Sequence, residues 1–395
     1  MYLENAISPN NKFWKYIVGS IIIIFASFIG QIPLGIALIF KSFNSKKGFP
    51  TDEAQLMKML NGNLTLFLML FSFAVALLAI YLVVKHLHNQ RFLTLTTSRN
   101  SVDWKRIFFS FGVWAVFTII SVAIGYFSEP ENFVINFKPV PFLILLVISL
   151  IMIPIQTSTE EYVFRGYLMQ GFAVGSLKKK FMIGVFYTFL FIPIYIIFET
   201  IIDIQLTSVL YPFAQVILFF LSLIFIVLID FILTKLNFFE TDFYSKIHQK
   251  SKNKLIPLLT TSLIFGLLHI ANPEVQKMGA ITMVYYIGTG LLLGIMTLMD
   301  DGMELALGFH AANNLISALL ITSDWTAFQT DSILKDKSTP SAGFEIILPV
   351  FIVFPLILFI FSKKYNWSNW KEKLFGKIEI ENPNLKIESH EYTEL

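Results

Sequence analysis

There is no cysteine among the 395 residues. That excludes disulfides, thiolate zinc sites and any cysteine nucleophile. Charge is scarce too: 14% of the residues are charged against 55% hydrophobic, far from the balance of a water-soluble domain. The net charge of +3 is too small to argue for a nucleic-acid partner. No small-residue cleavage site follows a short apolar core at the N-terminus. Lys12 and Lys15 instead precede a long apolar run that contains Gln31 and Pro33, so the first segment reads as a retained helix and not as a cleaved signal peptide. No internal repeat is visible.

What the chain does have is long apolar runs. Crossing about 30 Å of hydrocarbon takes about 20 helical residues, and about ten segments qualify. They lie near 14–41, 64–86, 107–126, 139–158, 181–198, 206–234, 255–271, 278–299, 303–322 and 345–361. Phenylalanine is abundant and Gly and Pro interrupt several segments, which suits helices packed in lipid better than strands of a barrel. The expected fold is all-α, a polytopic transmembrane helical bundle of about 8–10 spans with any active-site cavity inside the bundle. Arg91, Arg99, Lys105, Arg106, the run Lys178 to Lys180, and Lys246, Lys250, Lys252 and Lys254 fall on one side if the N-terminus is cytoplasmic. The acidic loops SEPENF and ETIIDIQ then fall on the other side. This places both termini in the cytoplasm and the protein in the cell inner or plasma membrane, with membrane lipid as its surroundings. Four regions are expected: supporting transmembrane helices over 1–135, a core over 136–325, a final transmembrane helix over 326–362 and a polar tail over 363–395, where Trp367 and Trp370 suit the interface. Nearly all intramembrane polar groups lie between 155 and 320.

An ionisable side chain inside a membrane is costly and usually faces the bundle interior or a wet cavity. Three places stand out. In TSTEEYVFRGY, Glu161 and Arg165 lie four apart on a helix and can pair, whereas Glu160 points about 100° away and has no such local cation. A carboxylate so placed has the makings of a general base; two acids solvated in the headgroup region fit the spacing equally well. In FGLLHIAN, Phe265 and His269 are four apart, as a catalytic or an interhelical hydrogen-bonding histidine would be. In GFHAANN, His310 and Asn314 share one face with Asn313 adjacent, offering donors for a developing oxyanion or polar contacts between helices. A base, two histidines and an asparagine within one apolar bundle supply the parts of a hydrolytic site.

The order EExxxR, FxxxH, HxxxN, here Glu160-Glu161-Tyr-Val-Phe-Arg165, Phe265-Gly-Leu-Leu-His269 and His310-Ala-Ala-Asn-Asn314, resembles the CPBP family of intramembrane proteases. That family includes the type II CAAX prenyl endopeptidases and bacteriocin-immunity-type relatives. The resemblance covers about 148 to 320, including FRGYL and the glycine-rich approach to the last motif. It implies that Glu160 activates water, that His269 positions it, that His310 and Asn314 stabilise the oxyanion, and that Glu161 with Arg165 is structural support. The implied substrate is a membrane-associated protein or peptide.

Three points stand against a simple match. Arg165 and Phe265 are further apart than the family pattern implies, and the apolar segments 181–198 and 206–234 between them suggest an insertion around 178–254. Asp230, within it, is a further buried acid that Lys235 can neutralise. A spanning helix rising 1.5 Å per residue carries His269 toward the outer side, while Glu160 and His310 lie toward the inner. Metal-free catalysis is favoured because no HExxH spacing is present; the alternative is zinc held by Glu160, His269 and His310. Rival functions are a catalytically silent scaffold or immunity protein and, with less support because inverted repeats are missing, a proton-coupled transporter.

Overall fold

The computed structural model describes residues 2–8, 11–45, 59–179, 181–202, 211–326, 329–340 and 343–378. Parts of two expected features, the ETIIDIQ loop from 203 and the polar tail from 379, lie outside the described residues, as does the start of the expected span 206–234. The chain folds as two compact units, the first made of Met1–Phe172 with Lys254–Gly376 and the second of Ala173–Asn253 with Lys377–Leu395.

The first unit is built from long apolar helices: α1 (Phe13–Ser45), α2 (Gly62–Leu82), α3 (Trp104–Ser128) and α4 (Pro139–Glu161). The second unit contains α5 (Phe181–Ile202) and α6 (Tyr211–Lys235), packed on each other. The first unit resumes with α7 (Leu255–Leu268), α8 (Thr282–Asp300), α9 (Glu304–Leu320) and α10 (Phe354–Lys364). Among the described residues seven helices are long and apolar enough to cross a membrane, fewer than the ten expected segments, and the protein is a polytopic helical membrane protein. For two of the three unmatched segments the reason is physical. α7 has 14 residues, about 21 Å at 1.5 Å per residue, short of a full crossing. α9 has 17 residues and is wrapped by its neighbours instead of facing lipid.

That burial explains why α9 is apolar on most of its circumference. On one flank Leu305, Ala306, Phe309 and Ala312 pack with Trp114 of α3, Leu292 and Met296 of α8, and Phe354 and Phe361 of α10. On another, Leu315 and Ala318 pack with Leu66 and Leu70 of α2 and Leu145, Met152 and Ile153 of α4. α3 approaches closely because Gly308 lies against the backbone carbonyl of Ile107. By contrast the outer faces of α1, α3 and α4 expose Phe25, Phe28, Ile120, Ile124, Leu143 and Val147, as lipid-facing helices do.

Charges clamp the start of α9. Arg99 reaches Asp300 at 3.0 Å and the fully buried Glu304 at 3.1 Å, and Arg106 reaches Asp300 at 2.5 Å. Trp367, expected only as an interfacial aromatic, donates its indole N–H to the same Asp300 at 3.1 Å. At the opposite end α9 runs into a strand. β1 (Phe133–Ile135), β2 (Ile321–Ser323) and β3 (Leu334–Asp336) form a sheet in the order β1-β3-β2. β1 pairs antiparallel with β3 (Phe133 opposite Asp336) and β2 parallel (Ile321 opposite Leu334). α9 is thus held at both ends. In the second unit Asp230 accepts a hydrogen bond from Tyr187 at 3.2 Å, which corrects the expected pairing with Lys235.

Candidate active site

At the end of α4 the regular helix opens into a π-helical stretch, Tyr162–Leu168. Such widenings re-aim side chains and recur at functional sites. Here the change falls between Glu161 and Arg165. Arg165 donates from Nη1 to Glu161 Oε1 at 3.1 Å, and both side chains are fully buried. Its Nη2 donates to the Gly290 carbonyl at 3.1 Å, and its guanidinium lies 4.3 Å from the centre of the Phe265 ring. The desolvated cation is therefore matched by one charge, one carbonyl and one aromatic face.

Glu160 faces elsewhere. It lines a cavity of about 510 Å³ together with His269, His310 and Asn314, the other three residues singled out as catalytic, whereas Glu161 and Arg165 do not line it. The cavity also takes in Gln156, Asn313 and Tyr286, with Met69, Leu70, Phe73 and Phe309 as apolar wall. His310 stands between the two glutamates: Nδ1 is 2.7 Å from Glu161 Oε1 and Nε2 is 3.5 Å from Glu160 Oε2. Because Glu161, paired with Arg165, presents Oε1 as an acceptor, Nδ1 is the donor and Nε2 points at Glu160. Glu161 is thus more than a partner for Arg165, since it also orients a cavity histidine, a contact that spacing along one helix does not reveal.

His269 is the residue that ends α7, and its depth is set by that short helix. Its Nδ1 lies 2.7 Å from the Phe265 carbonyl and its ring stacks on Tyr286 at 4.4 Å, which leaves Nε2 directed away from its own helix. The expectation that His269 would stand too far out is corrected: it still lies about 21 Å along α7, but the helix carrying Glu160 continues past it through Tyr162–Leu168 instead of ending there, and both residues line one cavity.

Three residues not singled out from the sequence, Gln156, Tyr286 and Trp114, complete the site together with Asn313, already noted beside Asn314. Gln156 donates to Glu160 Oε1 at 2.6 Å and accepts from Asn314 Nδ2 at 3.0 Å. Asn313 donates to Asn314 Oδ1 at 3.0 Å and accepts from the Trp114 indole at 3.0 Å. Tyr286 supports His269 and accepts from Asn272 at 3.2 Å. Gln156 lies one turn before Glu160 on the same face, so helical spacing could have found it; nothing in the local sequence points to Trp114 or Tyr286.

Among the described residues no three His, Asp or Glu side chains are grouped so as to hold a metal ion. His310 gives one ring nitrogen to Glu161 and turns the other toward Glu160, and the chemistry below is carried by the chain's own residues.

Residues 139–316, which contain all seven motif residues, match the family model described as type II CAAX prenyl endopeptidase Rce1-like. The chain is also 24% identical over 318 residues, 80% of each protein, to the uncharacterized protein YyaK of Bacillus subtilis (strain 168). No solved structure matches it. The order of the three motifs on α4, α7 and α9, the shared cavity and the matched segment agree, and residues 139–316 form an Rce1-like, type II CAAX prenyl endopeptidase domain.

Proposed function

We propose that the protein is an intramembrane endopeptidase that hydrolyses a peptide bond of a membrane-associated protein or peptide. The observation that carries this reading is the shared cavity: Glu160, His269, His310 and Asn314 face one polar space enclosed by apolar helices. Glu160 takes a proton from water while His269, braced on Tyr286, orients that water. The hydroxide adds to the scissile carbonyl carbon, and the resulting oxyanion is met by His310 Nε2–H and the free N–H of Asn314. For His310 to donate from Nε2 while Nδ1–H is given to Glu161 the ring carries a proton on each nitrogen, with Glu161 facing one and Glu160 the other. Collapse breaks the C–N bond, and the proton held by Glu160 passes to the departing amine. Glu161 and Arg165 act from behind the cavity wall. In the bacterial plasma membrane, with both termini cytoplasmic, the cavity would serve substrates anchored in the inner leaflet.

The test is purified protein in liposomes with two quenched fluorogenic peptides, one farnesylated and ending in a CAAX sequence, the other an unprenylated transmembrane segment. Cleavage of either by the wild type, lowered at least about a hundredfold in Glu160→Gln with unchanged folding, is the expected result. Equal cleavage by Glu160→Gln would remove the base from the mechanism, and an inert wild type would favour a silent scaffold.

A further inference from the structure

The amides at the cavity wall are ordered by their ends. The Trp114 indole N–H can only donate, so Asn313 must present Oδ1 to it and turn its Nδ2 toward Asn314. Asn314 then presents Oδ1 to Asn313 and Nδ2 to Gln156, and Gln156 presents Oε1 to Asn314 and Nε2 to Glu160. At the far end a carboxylate can only accept. A donor-only group and an acceptor-only group therefore bound a run of three carboxamides, and one sense of direction satisfies every contact. Reversing any single amide places oxygen against oxygen on one side and N–H against N–H on the other. Trp114 and Gln156 are buried, so water does not readily replace a lost partner.

We propose that Trp114, Asn313 and Gln156 are positioning residues forming a one-way amide relay that locks the Asn314 carboxamide with its Nδ2 toward the reacting carbonyl and ends on Glu160. The relay couples the oxyanion donor to the base. A carboxamide is nearly symmetric in shape, and a flipped Asn314 would offer a carbonyl oxygen to a developing negative charge while filling the same space. Packing alone does not distinguish the two faces; the indole of α3, fixed in the cluster of Phe117, Phe309 and Phe354, does. The catalytic consequence rests on the proteolytic reading above, but the orientation of Asn314 does not.

The measurement that tests the relay is made on full-length protein in micelles labelled with 15N-asparagine, the Asn314 side-chain amide being identified by its loss in Asn314→Asp. Trp114→Phe keeps an aromatic ring but removes the donor. Asn313→Asp keeps the shape and the acceptor for Trp114 but loses the N–H that reaches Asn314, and serves as a second route should Trp114→Phe fold poorly. Both are expected to shift the Asn314 amide signal and to speed its hydrogen exchange about tenfold as the locked orientation is lost. Phe117→Leu, which disturbs the packing of Trp114 but lies outside the relay, is expected to leave the Asn314 amide as it is. With the farnesylated peptide in liposomes, Trp114→Phe is expected to lower kcat about tenfold at unchanged KM, since the oxyanion exists only in the transition state. A folded Trp114→Phe or Asn313→Asp protein with an unaltered Asn314 amide overturns the relay, and so does an equal change in Phe117→Leu. A wild type inert toward both peptides would instead overturn the proteolytic reading and leave the amide result standing.

Discussion

Replacing Glu161 with glutamine changes one atom and removes one charge from a place with no water. The Glu161–Arg165 pair is fully buried with N and O 3.1 Å apart. At an effective dielectric of about 20, that separation corresponds to about 5 kcal/mol of attraction. The glutamine oxygen can still accept from Arg165, and the Gly290 carbonyl and Phe265 ring remain, so part of the interaction survives. We expect Glu161→Gln to lose roughly 3–5 kcal/mol, because a guanidinium is left buried without its counter-charge. Adding Arg165→Met removes that charge and should recover a substantial part of the loss, a coupling a double-mutant cycle measures directly. Activity should not follow stability. Glu161 also holds His310 at 2.7 Å, so the double variant, though folded, would still lack the carboxylate that receives His310 Nδ1 and orients the ring. Melting temperatures in detergent and peptide cleavage in liposomes, run on wild type, both single variants and the double, separate the two effects. A Glu161→Gln protein as stable as wild type would refute the buried-pair argument; a double variant with full activity would refute the assignment of His310 orientation to Glu161.

Gly308→Ala is expected to cost about 1–3 kcal/mol and lower activity, because the added Cβ collides with the Ile107 backbone carbonyl and pushes α9, with His310 and Asn314, off α3; thermal unfolding and cleavage rates check it, and a stable, active variant would contradict it. His88 is flanked by Asn11 at 3.0 Å and the Tyr167 hydroxyl at 2.9 Å, and burial, with Lys15 nearby, pushes its pKa down to about 4. A neutral histidine of this kind contributes stability that is complete above its unfolded value near 6.5 and is lost as pH falls toward 4, amounting to at most about 3 kcal/mol. His88→Gln should flatten the melting temperature of the protein between those two pH values; identical slopes in variant and wild type would exclude His88 as the source. Exhaustive chelation should leave cleavage unchanged, and abolition by chelator with recovery on added zinc would restore the metal alternative.

How much of this was legible in the sequence depends on whether a contact runs along a helix or between helices. Glu161 and Arg165 pair four residues apart, and the divergence of Glu160 from Glu161 follows from the 100° turn per residue; both are local facts of helix geometry and both are found in the structure. Gln156 obeys the same rule and was readable one turn ahead of Glu160. The bridge from His310 to both glutamates, the stacking of His269 on Tyr286 and the indole of Trp114 behind Asn313 join residues from 17 to 199 positions apart, and no local pattern encodes them.

Span counting went astray for a related reason. Hydropathy registers length and composition, which are the same for a helix bathed in lipid and for one bathed in other helices. α9 is apolar because Trp114, Leu292, Leu145 and Phe354 surround it, and α7 is apolar yet ends at Leu268, short of a crossing. The mismatch expected between His269 and Glu160 came from ending the first segment near 158, whereas its helix continues through Leu168. A helix that stops inside the bundle leaves the polar groups at its end without helical partners, which is tolerable in a membrane only where protein or a cavity supplies others. At the end of α7 that place is the cavity that His269 lines together with Glu160.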